Sequence, residues 1–578
     1  MFHHKIYIFL LNFSVYILNN IGERKMDTNK TVIAVLAILL VVSLGGNVYY
    51  ATRPTTQVPT PADTLIYADD LTGVITFDPA ECYTGANIIV ADQCYEALLD
   101  FTDGDLVNVK PRLAERWTVS SDGKVWTFYL KKGVKFAGSG NELTAKDVVY
   151  SFDRVVTLME SPAFMLAQLG ITNTSTVALD DYTVQVTLGQ RWAKAIVEQI
   201  FATWISYIVD SEVVKTHEVD GDWGNTWLDT HTAGSGAYVM TTFESEAKVV
   251  LDLNEDHWKW SGETKIREVP YIKQVIGLSV PEVTSRLLML EKGDVDIVTR
   301  LEPQQLEILQ DNPETRYIPG VPGYRALCMM VLPEYRGEPN PLADNRVRKA
   351  IKYSIDYEGI VNDIYMGKYA KLLQTFIPST VEGHLASTPY YRDIELAKQL
   401  LTEAGYPNGI TLNMIFRDSR DYRIILEKLQ SDLTEAGIEI EVDVLSSAEL
   451  RARRNDRDFQ LRISGFGLDY VEPDACASAW CPATSLGSDA PIQLNAWREG
   501  WVNQTMANWL DEARSALEWA DRAPIYEKLQ KAVLETGPYA FLVEKPYITF
   551  ACRTWVEGFT PTGVVHEAFQ AENVYKET

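Results

Sequence analysis

Residues 393–473 switch repeatedly between helical and strand periodicity, and this limits the possible folds more than any other stretch of the chain. Asp393 is placed to cap a helix whose Ile394, Ala397, Leu400 and Leu401 share one face, and Gly405-Tyr406-Pro407 stops it. Ile410 to Phe416 reads as a strand, residues 423–436 as a second helix, and Gly437 ends that helix. Ile438, Ile440, Val442 and Val444 then alternate with Glu439, Glu441 and Asp443, the pattern of a strand with one wet face. A short helix follows Ser447, and Phe459, Leu461 and Ile463 alternate with Gln460, Arg462 and Ser464 in a third strand. Strand, helix, strand, helix, strand predicts right-handed crossovers, an α/β fold and a largely parallel sheet.

Such a sheet also places a site, because ligands of open α/β sheets sit beyond the carboxyl ends of the strands. The third strand runs out through Gly465-Phe466-Gly467-Leu468-Asp469-Tyr470-Val471-Glu472-Pro473. Two glycines let backbone approach a ligand closely. Asp469 is a carboxylate between Phe466 and Tyr470. On the residues alone two roles stay open to it: capping a turn, or meeting a ligand.

With 578 residues and 46% hydrophobic content the chain can bury several cores, which predicts about three domains. Its 53 lysines and arginines against 79 aspartates and glutamates, net charge -26, argue against a nucleic-acid partner. The one basic knot, Arg451, Arg453 and Arg454, reads as a solvated helix face. Of six cysteines, Cys82 with Cys94 and Cys476 with Cys481 are close enough in sequence to bridge in an oxidising compartment; free thiols fit equally well. No C-x-x-C, G-x-S-x-G, H-E-x-x-H or Walker loop is present, so neither an enzyme nor a cofactor is expected.

Residues 31–50 carry no charge and span about 30 Å as a helix, one bilayer core. Arg24, Lys25 and Lys30 precede them, which predicts residues 1–30 in the cytoplasm and the body outside, with 31–50 a transmembrane anchor or a signal segment. Residues 1–25 read either as a first apolar segment or as an extension ahead of a start at Met26. Residues 51–64 form a Pro/Thr linker. In the body, residues 119–130 predict a hairpin turning at Asp122-Gly123, and Thr144 with Asp147 predicts a capped helix start.

Several runs, taken in order, resemble the solute-binding proteins of family 5, the dipeptide, oligopeptide and nickel class. They are Phe77-Asp78-Pro79; Tyr95-Glu96-Ala97-Leu98-Leu99; Pro111-Arg112-Leu113-Ala114 through Trp117; and Leu143-Thr144-Ala145-Lys146-Asp147. Gly234-Ser235-Gly236-Ala237-Tyr238, Asn254 through Trp258, and Asp344-Asn345-Arg346-Val347-Arg348-Lys349-Ala350 follow. The resemblance spans residues 65–570. It implies a two-lobed periplasmic-binding-protein-like fold of type II with an extra domain in lobe one. Lobe one would take 65–95, 189–325 and 535–578, the extra domain 96–188, and lobe two 326–534.

The resemblance further implies that Asp469 pairs with a peptide α-ammonium, with Phe466, Gly467 and Tyr470 around it, and that Arg454 lies near the ligand carboxylate. Two departures bear on the ligand: Phe466 stands for the usual tryptophan, and Ser447 for a ligand-facing tryptophan. The implied function is the extracytoplasmic substrate-binding subunit of an ABC importer, a monomer taking short peptides to a membrane permease with cytoplasmic ATPases. Oligosaccharides or nickel chelates are the alternative ligands. A chemosensory receptor and a secreted hydrolase are weaker alternatives.

Overall fold

The computed structural model describes residues 61–578, other than 84, 103, 104, 106, 263, 264, 418, 488, 489, 491, 562–568 and 578. The apolar run 31–50, the linker before residue 61 and Met26 lie outside the described residues. Among the described residues no helix is long and apolar enough to cross a membrane.

Two mixed sheets organise the chain. The first has seven strands in the order Thr315–Pro319, Thr549–Arg553, Ile297–Thr299, Thr64–Asp69, Gln274–Ser279, Lys248–Leu253 and Tyr238–Glu244. The second has six, in the order Lys371–Leu372, Tyr539–Pro546, Pro322–Met329, Leu461–Gly467, Ile410–Phe416 and Ile438–Val444. A four-stranded antiparallel sheet is built from Ala114–Val119, Val125–Leu130, Thr183–Thr187 and Thr176–Asp180. It contains the expected hairpin, with Gly123 at φ +75° in the turn. Helix Ala145–Leu158 follows the hairpin, and Asp147 Oδ2 accepts the Thr144 N–H at 2.8 Å.

The strand–helix alternation of 393–473 is realised. Ile410–Phe416 runs parallel to both Ile438–Val444 and Leu461–Gly467. The expectation of a largely parallel sheet needs correcting, however. Pro322–Met329 lies antiparallel to Leu461–Gly467, and Tyr539–Pro546 lies antiparallel to Pro322–Met329. Pro322–Met329 enters from Thr315–Pro319 of the first sheet and Tyr539–Pro546 leads out into its Thr549–Arg553, so their direction is set by segments remote in sequence.

The chain crosses between the sheets twice, at 320–321 and 547–548. The crossovers are paired: Tyr547 N–H donates to the Val321 carbonyl at 2.8 Å and Gly320 N–H to the Ile548 carbonyl at 3.2 Å. Residues 322–325 and Tyr539–Pro546, which fall inside the expected lobe one, hydrogen-bond in the six-stranded sheet.

Four of the family-like runs converge on one buried ionic knot. Glu96 accepts from Arg112 Nε (2.6 Å), Ser235 Oγ (2.7 Å) and Trp258 Nε1 (3.0 Å), and lies 3.2 Å from His257 Nε2. Arg112 also donates to Asp100 at 2.9 Å, and Lys259 pairs with Glu572 at 2.5 Å. Burial pushes the Glu96 carboxyl up, but Arg112, His257 and Lys259 outweigh it and hold it well below the usual carboxylate range. Gly236 belongs to this knot by shape, because its N–H reaches the Cys94 carbonyl at 2.9 Å and a Cβ there would lie 2.4 Å from Gln93 O. Asp78 likewise holds Arg154 through both oxygens. Arg348 and Lys352 donate to the Thr536, Leu534 and Gly537 carbonyls at 2.9–3.1 Å, closing the C-terminal end of helix Trp519–Thr536.

All six cysteines are buried free thiols, so of the two alternatives left open by the sequence the unbridged one holds. Cys82 and Cys94 are held apart by helix Gly85–Cys94, about 15 Å of rise. Cys476 and Cys481, five positions apart along and just past helix Pro473–Trp480, lie about 140° apart around its axis.

Candidate ligand-binding site

Parallel strands Ile410–Phe416 and Leu461–Gly467 are in register only at Met414↔Leu461 and Ile415↔Arg462, and then diverge. A cavity of about 250 Å³ opens in the fork, at the carboxyl ends of the strands. One wall is residues 415–417 and the other residues 462–465. Helix Ser447–Asn455 contributes Ser447, Leu450, Arg451 and Arg454, and Tyr422 closes one side.

The cavity is short of negative charge. Arg462 is satisfied by Glu499 (2.8 Å from Nε) and Asn495 (2.8 Å). Arg454 makes only long contacts to Asn455 Oδ1, at 3.4 and 3.5 Å, and has no carboxylate partner among the described residues. Burial, then Arg498, Arg462 and Arg451, push its pKa down. Arg498 is pushed down by burial and Arg462, and its Nε is buried without a hydrogen-bond partner among the described residues. Arginine stays charged in proteins, so these directions report desolvation first and like-charge crowding second, with Glu499 opposing, rather than loss of a proton.

Asp469 follows the same strand and is 2% exposed. Its Oδ1 accepts from Tyr83 Oη at 2.9 Å. Tyr83 precedes helix Gly85–Cys94, remote in sequence from the strand end. Burial and Asp469 raise the Tyr83 phenol, and Arg498 opposes them, so the carboxylate and the cationic group both act on this one hydroxyl.

The other expected site residues are placed differently. Phe466, 9% exposed, packs on Tyr324 (5.7 Å between ring centroids) and Trp480 (5.9 Å). Tyr470 donates to Asp474 at 2.9 Å and accepts from Gln168 at 3.4 Å. Gly467 lies under the Tyr547 ring, where a Cβ would come within 2.8 Å. Gly465 makes room for the Tyr422 hydroxyl and the Arg325 guanidinium, which a Cβ would meet at 2.5 and 2.6 Å. The glycines thus admit protein side chains at the strand end.

The basic knot divides. Arg453 pairs with Asp443 (2.6 Å) and Asp458 (3.0 Å), while Arg451 and Arg454 line the cavity. The helix has no buried residue, in keeping with a solvated face, but Arg454 is half-buried on the side that lines the cavity. Residues three apart on a helix share a face, and that spacing separates 451 and 454 from 453. Tyr83, Arg417, Tyr422 and Arg498 were missed, because no local pattern marks residues that converge only in the fold.

A second cavity, about 260 Å³, lies among Gln168, Trp192, Cys481, Trp497, Leu510 and Arg514. Its arginine is already engaged by Asp474 (2.7 Å) and Ser478 (2.5 Å). The first cavity, with unanswered charge at the strand ends, is the stronger candidate.

Over 505 residues, 87% of this chain and 92% of the relative, the sequence is 27% identical to the probable D,D-dipeptide-binding periplasmic protein DdpA of Escherichia coli K12. It is 24% identical to heme-binding protein A of Haemophilus influenzae over 537 residues, 89% of this chain and 93% of that one. Among solved structures, the ABC transporter-associated periplasmic binding protein DppA of Helicobacter pylori, in complex with the peptide STSA, is similar with a TM-score of 0.76. The identity is 24%, covering 89% of this chain and 98% of that one. The model of the bacterial extracellular solute-binding proteins, family 5 (middle region), matches residues 108–487, well over half of the sequence, and the chain belongs to that family of solute-binding proteins.

Proposed function

We propose that this chain is the substrate-binding subunit of an ABC importer and that it captures short peptides. The observation that supports the reading is a cavity lined by four arginines and no carboxylate, beside which Arg498 and the buried carboxylate of Asp469 both act on the Tyr83 hydroxyl. A zwitterionic peptide presents one cation and one anion at its ends whatever its side chains. The α-ammonium would share Asp469 with Tyr83, since a carboxylate offers about four acceptor sites. The carboxylate would meet Arg454 and Arg498. Charge-assisted hydrogen bonds of this kind are strong when desolvated. The cavity, about 250 Å³, lies just under the ~300–1,000 Å³ of pockets for drug-sized ligands, which suits a small peptide. Relatives named for dipeptides, and a neighbour holding the peptide STSA, support the same reading.

In this reading the two main sheets are the cores of two lobes, and the paired crossovers at 320–321 and 547–548 are the hinge. The four-stranded sheet is the extra domain. A ligand touching both lobes only when they are closed shifts the protein to that state, which the permease then recognises. The segment 31–50 would hold the body on the extracytoplasmic face, and the linker 51–64 would keep it close to the permease.

Calorimetric titration of the full-length chain with free and N-acetylated forms of one dipeptide tests the ammonium role. Free peptide is expected to bind tighter, and Asp469→Ala to weaken it by ~2–5 kcal/mol, as for truncating one partner of a buried charge pair. Equal affinity of the free and acetylated forms would refute the assignment.

A further inference from the structure

The arginine cavity holds more positive charge than one peptide carboxylate answers. Arg417, Arg451, Arg454 and Arg462 line it, and Arg498 presses on Arg454 from beside it. The carboxylates near it are few. Glu499 is taken by Arg462 at 2.8 Å. Asp421, next to the lining Tyr422, is held by Arg325 at 2.7 Å. Glu160 acts on Arg451 from the segment between the extra domain's strands. Arg417, Arg454 and Arg498 remain without a carboxylate among the described residues; the Arg417 guanidinium reaches only the Ser447 hydroxyl, at 3.4 Å.

Arg417 and Arg451 are exposed and Arg454 and Arg498 half-buried, so water answers them in the free protein, and a ligand that displaces this water must supply their hydrogen bonds. A single carboxylate has two oxygens and can accept two bidentate forks at most. The rest of the chain makes the excess more telling. At net charge -26 its general field repels anions, so a local cationic pocket must carry the attraction by itself. Ser447 leaves the wall beside Arg417 and Arg454 open, and with Tyr422 it offers hydroxyl donors that suit oxygen acceptors.

We propose that the preferred ligands are acidic peptides whose carboxyl end carries two carboxylates, as in a peptide ending in glutamate or aspartate. The inference rests on the peptide reading and sharpens it. The α-carboxylate and the side-chain carboxylate would divide the guanidiniums of Arg454, Arg498 and Arg417 between them.

Titration of the unmodified full-length chain with Ala-Gln, Ala-Glu and N-acetyl-Ala-Glu at one ionic strength tests it. Ala-Gln and Ala-Glu differ by one charge at nearly constant shape. Ala-Glu is expected to bind at least tenfold tighter than Ala-Gln, and Arg454→Gln to bring that ratio towards one. Equal affinity for Ala-Gln and Ala-Glu overturns the inference while the peptide reading stands. If N-acetyl-Ala-Glu equals Ala-Glu and both exceed Ala-Gln, the inference stands and the ammonium role of Asp469 falls. If none of the three binds, both fall. The series on the unmodified protein decides the matter even where a variant misfolds.

Discussion

Two charge clusters in this molecule, one buried around Glu96 and one half-buried around Arg454, have opposite balance. Around Glu96, each cation has a carboxylate: Arg112 has Glu96 and Asp100, and Lys259 has Glu572. Around Arg454, the guanidiniums of Arg454 and Arg498 make no ion pair with a carboxylate among the described residues, and the one carboxylate that acts on both, Glu499, is hydrogen-bonded to Arg462. The closed balance belongs to residues tying together the helix ending at Cys94, the turn at Ser235, the turn at His257 and the C-terminal segment at Glu572. The open balance belongs to a cavity. A cluster complete in itself holds the fold together, whereas the proposed function has the ligand complete the open one.

The largest expected effect comes from breaking the closed cluster. Arg112→Ala strands Glu96 and Asp100 without their main cation, and removing one partner of a buried pair costs ~3–5 kcal/mol. Melting temperature should fall sharply; a change within the scatter of surface variants would contradict the structural role.

Acid should attack the same cluster, by a smaller amount. The Glu96 and Glu572 carboxyls are held below their ordinary value by their cations, despite burial. Unfolded, they protonate near pH 4.3–4.5 on average, about where free glutamate does. Below that the unfolded chain binds the extra protons and stability is lost. Asp92 and Glu472 act the other way: burial raises both to about 7, so acidifying from above 7 towards 4 favours the folded state. Stability should therefore peak at mildly acid pH and drop steeply below about pH 4. In Arg112→Ala the drop should be shallower, because Glu96 loses the cation that depresses it. Chemical denaturation across pH reads both curves, and a monotonic rise in stability down to pH 3 would contradict the assignment.

Much of the second sheet was legible because strand and helix periods differ and Gly405, Gly437 and the polar faces mark the boundaries. Its antiparallel half was not, since Pro322–Met329 and Tyr539–Pro546 are contributed from more than 70 residues away on either side of Leu461–Gly467. The strand-end rule singled out the segment that carries Asp469 but left its role open between capping a turn and meeting a ligand. The family-like runs pointed to the fold, and the structure gives a physical reason: Glu96, Arg112, Ser235 and Trp258 meet in one knot. Arg498 and Tyr83 were illegible because each is an ordinary residue in its own segment, and only the fold brings both to the strand end. Cys82 and Cys94 show the converse, near in sequence yet separated by a rigid helix.

Arg454→Gln, studied without ligand and then with a free dipeptide, tests the contrast most directly. Removing an unanswered guanidinium should leave the melting temperature unchanged or raise it, while peptide affinity falls at least tenfold. A loss of stability like that of Arg112→Ala, with affinity retained, would contradict the account.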